Sequence, residues 1–224
     1  ACGDCGAVSN CLSVQTQQTP FGPKAFIDQD SCNFDSSCLN GDCPSFLTVE
    51  IDPEKTNGKF PLTPATDFEL PSPEIKVSTE RLDLRIAGIG GTGVVTAAQI
   101  LATASMLDGF EVRGLDQTGL SQKAGPVVSD LRLSKGSPQS SILLMQQRAD
   151  VLIGFDLLVA ASERSLKVAQ EGKTILIASK TETPTGAMVG DPLADLPDVE
   201  SLMEKLSNFI NSDTSFLVDA GELC

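Results

Sequence analysis

The amino-acid sequence predicts an α/β fold, in which a Rossmann-like, mostly parallel sheet domain follows a small cysteine-rich module. Strand-like apolar stretches alternate with helical stretches from Arg81 onward, a glycine-rich loop follows the first of these strands, and six of the seven cysteines lie near the N-terminus. We therefore divide the 224 residues into a cysteine-rich module at 1–46, a proline-rich linker at 47–80 and a sheet domain at 81–224.

In the sheet domain, short apolar or alternating runs predict strands, and longer runs with apolar residues at helical spacing predict helices. Because strands that alternate with helices need crossover connections, we expect mostly parallel pairing. The predicted strands are 82–88, 110–115, 126–133, 149–154, 174–178 and 216–218. The predicted helices are 94–107, 157–169 and 202–210.

The linker contains five prolines among threonines, serines and acids, with no sustained apolar periodicity of either kind. Proline fixes its own backbone angle and interrupts helices, so this composition predicts a stiff linker or a surface wrap. Disorder is the alternative for the same segment. The prolines are Pro53, Pro61, Pro64, Pro71 and Pro73.

The cysteine-rich module carries its thiols at the spacing C-x2-C-x5-C-x20-C-x5-C-x4-C-P. The candidate metal ligands are Cys2, Cys5, Cys11, Cys32, Cys38 and Cys43. Clustered thiolates repel one another unless a cation neutralises them, and iron–sulfur clusters are held by cysteines at short loop spacings. The spacing and the final Cys-Pro therefore favour an iron–sulfur cluster. Six thiolates suffice for one four-cysteine cluster and not for two, so the choice of the four stays open.

Two other interpretations of the cysteines remain. A structural zinc site usually has two C-x2-C knuckles, or Cys with His, but the module has one knuckle and the chain has no histidine. A disulfide framework suits small secreted domains, whereas no signal peptide is visible and the chain is not small. Cysteines without a secretion signal instead predict a reducing, cytoplasmic setting.

The composition argues against several classes of function. A formal net charge of −14 and a pI near 4.3 argue against nucleic-acid binding, because no basic patch is present. No apolar run approaches the length that spans a membrane. Without histidine, the chain cannot hold a Ser-His-Asp or Cys-His catalytic pair. Chemistry must therefore come from a cofactor or from another part of a larger assembly.

The glycine loop between the first predicted strand and helix has the pattern G-x-G-x-x-G. The candidate cofactor-binding glycines are Gly88, Gly90, Gly91 and Gly93. Glycines in this context permit a tight turn, and the helix N-terminus offers amides to an anion. Asp116, at the end of the second strand, stands where a dinucleotide site places its ribose-binding acid. The alternative is that the glycines only allow close packing of strand and helix.

A polar loop follows the second predicted strand, at the edge where such a sheet faces its ligand. Lys123 could meet an anion there, and Ser121 and Gln122 could form hydrogen bonds with a bound partner. We include these three residues among the candidate cofactor-binding residues. An ordinary surface loop is the alternative interpretation.

These motifs occur together in one known family. The loop 88–93 continued by Val94-Val95, with 119–125 leading into Val127-Val128-Ser129, resembles the gamma domain of 2-oxoacid:ferredoxin oxidoreductases, most closely the indolepyruvate type. The run from Cys2-Gly3-Asp4-Cys5 to Cys43-Pro44-Ser45-Phe46 resembles the iron–sulfur segment that precedes this domain in long fused members. Lys123 and Ala124 depart from the Arg and Gly that separate-subunit members often carry.

The resemblance implies oxidative decarboxylation of a 2-oxoacid, an aryl pyruvate, with CoA accepting the acyl group and ferredoxin the electrons. A [4Fe–4S] cluster on the cysteines would relay those electrons. Thiamine diphosphate and Mg would lie elsewhere in the wider enzyme, because this chain has no Gly-Asp-Gly motif followed at a distance by Asn. The sheet domain would then dock other domains or subunits of an oligomer.

Two hypotheses of other classes stay open beside this one. The first is an NAD- or flavin-linked iron–sulfur reductase that binds its dinucleotide at the glycine loop and Asp116. The second is a non-enzymatic protein, with zinc in the cysteine module and the sheet domain as an assembly surface.

Overall fold

A computed structural model of the chain describes residues 2–29, 32–44, 72, 74–119, 125–136, 141–180, 183, 188 and 197–220. The cysteine module holds a short helix, a hairpin and a 3-10 turn. These are α1 Asp4–Ser9, β1 Val14–Thr19, β2 Gly22–Ile27 and the 3-10 turn Ser37–Asn40. The strands β1 and β2 pair antiparallel.

Local turns shape this module. Helix α1 is bounded by Gly3 and Asn10, with φ angles of 75° and 49°, and the Asn10 N–H donates to the Gly6 carbonyl oxygen at 2.8 Å. At the hairpin turn Gly22 has φ of 86°, and the Thr19 hydroxyl donates to its carbonyl oxygen at 2.7 Å. Glycine and asparagine are the residues that tolerate such left-handed angles. The module is therefore defined largely by backbone geometry.

The sheet domain follows the predicted alternation of strands and helices. Its strands are β3 Arg81–Ile89, β4 Glu111–Thr118, β5 Pro126–Ser134, β6 Val151–Gly154, β7 Ile175–Ser179 and β8 Phe216–Val218. Its helices are α2 Val94–Leu107, α3 Leu157–Ala160, α4 Glu163–Leu166 and α5 Val199–Ser207. None of the described helices is long and apolar enough to cross a membrane.

The six strands form one sheet in the order β4-β5-β3-β6-β7-β8. The pairs β3–β6, β6–β7 and β7–β8 are parallel, whereas β3–β5 and β4–β5 are antiparallel. The mostly parallel α/β fold predicted from the sequence is thus confirmed. Strands β4 and β5 are antiparallel for a physical reason. The connection between them, residues 119–125, is too short for the helical crossover that parallel neighbours need.

The core lies on both faces of this sheet because side chains alternate along β3. Leu84 and Ile86 pack with Val94 of α2 on one face. Ala87 and Ile89 pack on the other face, with apolar residues of α3, α4 and α5. The hydrophobic pattern that predicted the strands is therefore the pattern that places helices on both sides.

The single helix predicted at 157–169 is wrong. The structure has the two short helices α3 and α4, each with its own N-cap. The Asp156 carboxylate accepts from the Val159 N–H at 2.9 Å, and the Ser162 side chain accepts from the Ser165 N–H at 3.4 Å. A serine that caps a new helix ends the preceding one, because its side chain competes for backbone donors.

Two buried ion pairs join β3 to β5. Asp83-Leu84-Arg85 on β3 faces Asp130-Leu131-Arg132 on β5, and antiparallel pairing sets each Asp opposite an Arg. Arg85 Nε lies 2.7 Å from Asp130 Oδ1, and Arg132 Nε lies 2.9 Å from Asp83 Oδ1. All four side chains are buried. Each arginine also donates to a carboxylate through a second nitrogen, which is the geometry of strong charge-assisted pairs.

Much of the predicted linker at 47–80 lies outside the described residues, which resume at Ser72 and Glu74. Residues 74–80 have neither helix nor strand, and they lead directly into β3. The division into linker and flanking domains stays a prediction.

Candidate functional site

The glycine loop joins the carboxyl end of β3 to the N-terminus of α2. Gly88 lies in β3 itself, where a Cβ would sit 2.8 Å from Val94 Cγ2 and 3.0 Å from Phe155 Cβ. Gly91 and Gly93 follow with φ angles of 105° and 83°, which L side chains rarely adopt. Packing therefore requires glycine at the first of these positions, and backbone conformation favours it at the other two.

Part of the loop's hydrogen-bonding capacity is used within the protein. The Gly90 N–H donates to the Gly125 carbonyl oxygen at 2.8 Å, which ties the loop to the start of β5. The Thr92 N–H and hydroxyl both donate to the Ile89 carbonyl oxygen, at 3.1 and 2.7 Å. An anion at this helix N-terminus would find both of these amides already engaged.

Two clefts border the loop at the edge of the sheet where the strands end. One, of about 360 Å³, is lined by Gly90, Gly91, Gly93 and the first turn of α2 among others. The other, of about 340 Å³, is lined by Thr92, Phe155 and mostly apolar residues from the ends of β6, β7 and β8. Clefts outside the carboxyl ends of parallel strands are where α/β folds bind ligands. A ligand site is therefore best sought around this loop.

Asp116 is not placed as a dinucleotide site requires. It is an exposed residue of β4, paired with Ser129 of β5, which in turn pairs with Ile86 of β3. Neighbouring strands lie about 4.8 Å apart, so a whole strand separates Asp116 from the glycine-bearing strand by about 10 Å. The ribose-binding acid of a dinucleotide site stands on the adjacent parallel strand.

Three further candidate residues, Ser121, Gln122 and Lys123, lie outside the described residues. The loop that carries them ends at Gly125, which is buried and accepts the hydrogen bond from Gly90. That bond fixes the end of the polar loop against the glycine loop. The roles predicted for the three side chains stay predictions.

Asp156 is a buried acid at this edge that the sequence analysis did not identify. Its Oδ1 accepts from the Val159 N–H at 2.9 Å and its Oδ2 accepts from the Thr183 N–H at 2.7 Å. Burial raises the pKa of this carboxyl above its ordinary value, although the two amide donors oppose the shift. An aspartate directly after an apolar strand and before a helix is an N-cap signal, which could have revealed it. The geometry is that of a structural cap.

In the cysteine module, the two sequence-separated groups of cysteines lie together. The Asp42 N–H donates to Asp4 Oδ2 at 2.7 Å, which joins the second group to helix α1. A Cβ built on Gly41 would lie 3.0 Å from the Cys5 Cα and N atoms, so the backbones approach as closely as glycine allows. Sequence spacing alone could not show this contact, because it spans most of the module.

The thiols of this module affect one another electrostatically. Burial raises the pKa of the Cys5 thiol, and the neighbouring Cys43 and Cys38 raise it further. Burial likewise raises the pKa of Cys38, and Cys11, Cys32 and Asp35 add to that shift. Five of the six predicted ligands therefore lie close enough to interact, whereas Cys2 is exposed. None of the six is in a disulfide.

Within the described ranges, no group of three or more His, Cys, Asp or Glu side chains is arranged to hold a metal ion. The chemistry of the available donors nevertheless fits an iron–sulfur cluster, because every candidate ligand is a thiol and the module offers no imidazole. Burial and the repulsion between thiolates, which raise the pKa of Cys5 and Cys38, are conditions that a bound cation relieves. The donor set fits, while the assignment of ligands stays a prediction.

Comparison with known proteins identifies the sheet domain. The family model described as pyruvate ferredoxin/flavodoxin oxidoreductase matches residues 83–218, more than half of the chain, from β3 to the end of β8. The chain belongs to this family. The resemblance to the 2-oxoacid:ferredoxin oxidoreductases, of the indolepyruvate type, is thereby confirmed. The matched range begins beyond the cysteine module.

Similar proteins within this family include three archaeal indolepyruvate oxidoreductase subunits IorB. Those of Pyrococcus horikoshii and Thermococcus kodakarensis are 28% and 27% identical over 117 residues, covering 52% of this chain and 55% of each relative. That of Archaeoglobus fulgidus is 25% identical over 126 residues, covering 56% of this chain and 59% of the relative. The chain thus matches little more than half the length of these relatives.

Two solved structures are also similar to this chain. The pyruvate oxidoreductase subunit PORC of Thermotoga maritima has a TM-score of 0.43 at 20% identity, covering 64% of this chain and 65% of that one. The 2-oxoglutarate:ferredoxin oxidoreductase of Magnetococcus marinus has a TM-score of 0.41 at 15% identity, covering 63% of this chain and 20% of that one.

Proposed function

We propose that this chain is one region of a 2-oxoacid:ferredoxin oxidoreductase that oxidatively decarboxylates an aryl pyruvate, indolepyruvate being the first to test. In this proposal the cysteine module holds a [4Fe–4S] cluster that passes electrons to ferredoxin. The observation that carries the proposal is the family match over 83–218, preceded in the same chain by a module whose candidate ligands are all thiols.

The protein's own residues have separable tasks in this proposal. The thiolates for the cluster come from Cys2, Cys5, Cys11, Cys32, Cys38 and Cys43. Ser9 and Asp4 hold their backbone in place, since the Ser9 hydroxyl donates to the Cys5 carbonyl oxygen at 2.6 Å and Asp4 accepts from Asp42. When bound, the cluster would supply one-electron transfer, which no side chain of this chain can perform.

The sheet domain serves as a docking unit beside the substrate. The clefts around the glycine loop are where it would meet CoA or the 2-oxoacid, with Ser121, Gln122 and Lys123 as candidate contacts. Thiamine diphosphate and Mg belong to other parts of the enzyme. We place the assembled enzyme in the cytoplasm.

An uncharged helix supports contacts with other domains or subunits. Helix α2 contains no Asp, Glu, Lys or Arg over its whole length, although the chain is strongly acidic. Ile100, Met106 and Leu107 on this helix are 64%, 63% and 84% exposed. Exposed apolar surface of this kind marks protein interfaces, and the archaeal relatives are themselves described as subunits.

Two observations weigh against the NAD- or flavin-linked alternative. Asp116 stands a strand away from the loop, and the amides of Gly90 and Thr92 already donate within the protein. Titration of the chain with NADH and with flavin tests this directly. We expect no saturable binding, and saturation by either would revive the alternative.

The deciding experiment is elemental analysis of anaerobically purified protein for iron, acid-labile sulfide and zinc, with low-temperature EPR after dithionite. We expect about four irons and four sulfides per chain and the signal of a reduced cluster. Four of the six single Cys→Ser variants of the module should lose iron, whereas the matched Cys224→Ser variant, outside the module, should retain it. Stoichiometric zinc without sulfide would overturn the electron-relay proposal.

A further inference from the structure

A side chain of the cysteine module contacts the glycine loop of the sheet domain. Leu12 follows the third cysteine of the module and packs, half-buried, against the core cluster that includes Ala87 and Ile89 of β3. A Cβ built on Gly91 would lie 3.1 Å from Leu12 Cδ2. Ordinary carbon contacts begin at about 3.5 Å. A Cβ at this position would therefore press on the tip of Leu12, which would have to give way by a few tenths of an ångström.

Leu12 is firmly connected to the candidate ligands. The Val14 N–H donates to the Cys11 carbonyl oxygen at 3.1 Å, so the backbone turns tightly around Leu12. The Cys11 N–H in turn donates to the Ser9 hydroxyl oxygen at 3.1 Å. The Ser9 hydroxyl donates to the Cys5 carbonyl oxygen at 2.6 Å, and Ser9 is buried. The backbone that carries Leu12 is thus linked by hydrogen bonds to both cysteines.

The two glycines of the loop with left-handed backbone differ in their surroundings. A Cβ on Gly93, with φ of 83°, would meet no atom within 4 Å. A Cβ on Gly91, with φ of 105°, would meet the Leu12 side chain. Backbone strain is thus common to both positions, whereas the contact with the cysteine module belongs to Gly91 alone.

We propose that the glycine loop is the docking surface of the cysteine module and that Leu12 is the positioning residue that fixes the module there. The loop pattern that predicted a dinucleotide site would then hold a leucine of the same chain. This docking brings Leu12, the residue after Cys11, against Gly91, which lines one of the two clefts. The docking is independent of the proposed function. The role of Leu12 in positioning a cluster rests on the proposed function.

A double-mutant cycle tests the docking. We compare thermal midpoints of Leu12→Ala, Gly91→Ala and the double variant, with Gly93→Ala as a control for backbone strain and Leu39→Ala for loss of an exposed leucine in the same module. Leu12→Ala should lower the midpoint by about 5 °C, because it removes a partly buried side chain from a protein of this length. Gly91→Ala should lower it more than Gly93→Ala in the wild-type background.

The coupling between the two positions is the decisive quantity in this cycle. In the Leu12→Ala background, the effect of Gly91→Ala should shrink to that of Gly93→Ala, because the atom that the new Cβ meets is gone. Amide hydrogen exchange of β1 and β2 should rise in Leu12→Ala and not in Leu39→Ala. Additive effects with unchanged exchange would overturn the docking proposal, whatever metal the module holds.

The cluster position is tested by the reduction potential and EPR line shape of the reduced protein. Leu12→Ala should keep its iron and sulfide while both properties change, and Leu12→Met should restore them because it refills the contact. Unchanged potential and line shape in Leu12→Ala would overturn the positioning role. Absence of iron from the wild-type protein would overturn the proposed function. The docking proposal would still be tested by the coupling between Leu12→Ala and Gly91→Ala.

Discussion

In the sheet domain, one continuous cluster of buried apolar side chains extends from β3 through β7 to α5, whereas Cys5 and Val14 are the only buried apolar side chains among the described residues of the cysteine module. The module leaves Phe21 and Phe34 88% and 76% exposed. The sheet domain therefore has the apolar burial that stabilises a domain by itself. The module must instead depend on turns, on hydrogen bonds, on its contact with the sheet domain and, as proposed, on metal.

Removing a ligating thiol should have the largest effect on stability, and this effect should be confined to the cysteine module. We expect a Cys→Ser variant of the module that loses the cluster also to lose the protection of the β1 and β2 amides from hydrogen exchange. The amides of β3 should stay protected, because apolar burial rather than metal stabilises that strand. Hydrogen exchange with mass-spectrometric detection reports both regions at once. Full protection of the hairpin in iron-free protein would contradict the comparison.

A charge left unpaired in the sheet domain should give the next largest effect. Arg85→Ala leaves Asp130 buried without its partner, which should lower the free energy of unfolding by about 3–5 kcal/mol. The paired replacement Arg85→Met with Asp130→Leu should cost much less, since no charge then stays buried. Urea unfolding followed by circular dichroism measures both. Equal losses in the two proteins would show that the charge itself is not the cause.

Close packing at Gly88 should give a smaller effect. Gly88→Ala brings a Cβ to 2.8 Å from Val94 Cγ2, and overpacking of this kind costs about 1–3 kcal/mol. The matched control is Gly114→Ala in β4, where the nearest atom is a leucine side-chain tip at 3.1 Å that can move aside. The same urea measurement should show the smaller loss for the control. A reversed order would contradict the packing argument.

The smallest effect should come from the cap at Asp156. Asparagine can accept only one of the two amide hydrogen bonds, so Asp156→Asn should cost about 1–2 kcal/mol. Because burial raises the pKa of this carboxyl above its ordinary value of 3.8, the folded state keeps its proton where the unfolded state has lost it. The stability contributed by Asp156 should therefore fall as pH rises from about that value through the folded pKa. Thermal midpoints of both proteins across this range check the sign.

The sequence predicted those parts of the fold that depend on local pattern. Helix α2 was predicted at the residues where it lies, and β8 likewise, because apolar periodicity and glycine punctuation are local signals. The break at Ser162 was missed, since a serine inside an apolar helical run was treated as a helix residue rather than as a new cap. The family was also recognisable from its motifs alone.

The site was predicted only in part, because its decisive contacts join distant residues. Nothing near Gly91 in the sequence indicates Leu12, because most of the cysteine module and the whole linker lie between the two residues. The position of β5 between β3 and β4, which removes Asp116 from the loop, likewise follows from tertiary pairing. One pairing between distant strands does have a signal in the sequence. The tripeptide Asp-Leu-Arg occurs in both β3 and β5, and charged residues alternating within apolar strands indicate cross-strand pairs.

That repeated tripeptide also bears on errors during folding. Apolar alternation excludes misalignment of two strands by one residue, because every side chain would change face, but it does not exclude misalignment by two. Here a shift of two residues in one direction would bury Asp83 opposite Asp130, and in the other direction Arg85 opposite Arg132. Like charges opposed in the interior are strongly unfavourable. While the chain folds, the two short charged segments thus disfavour the two-residue register shifts that apolar alternation alone would allow.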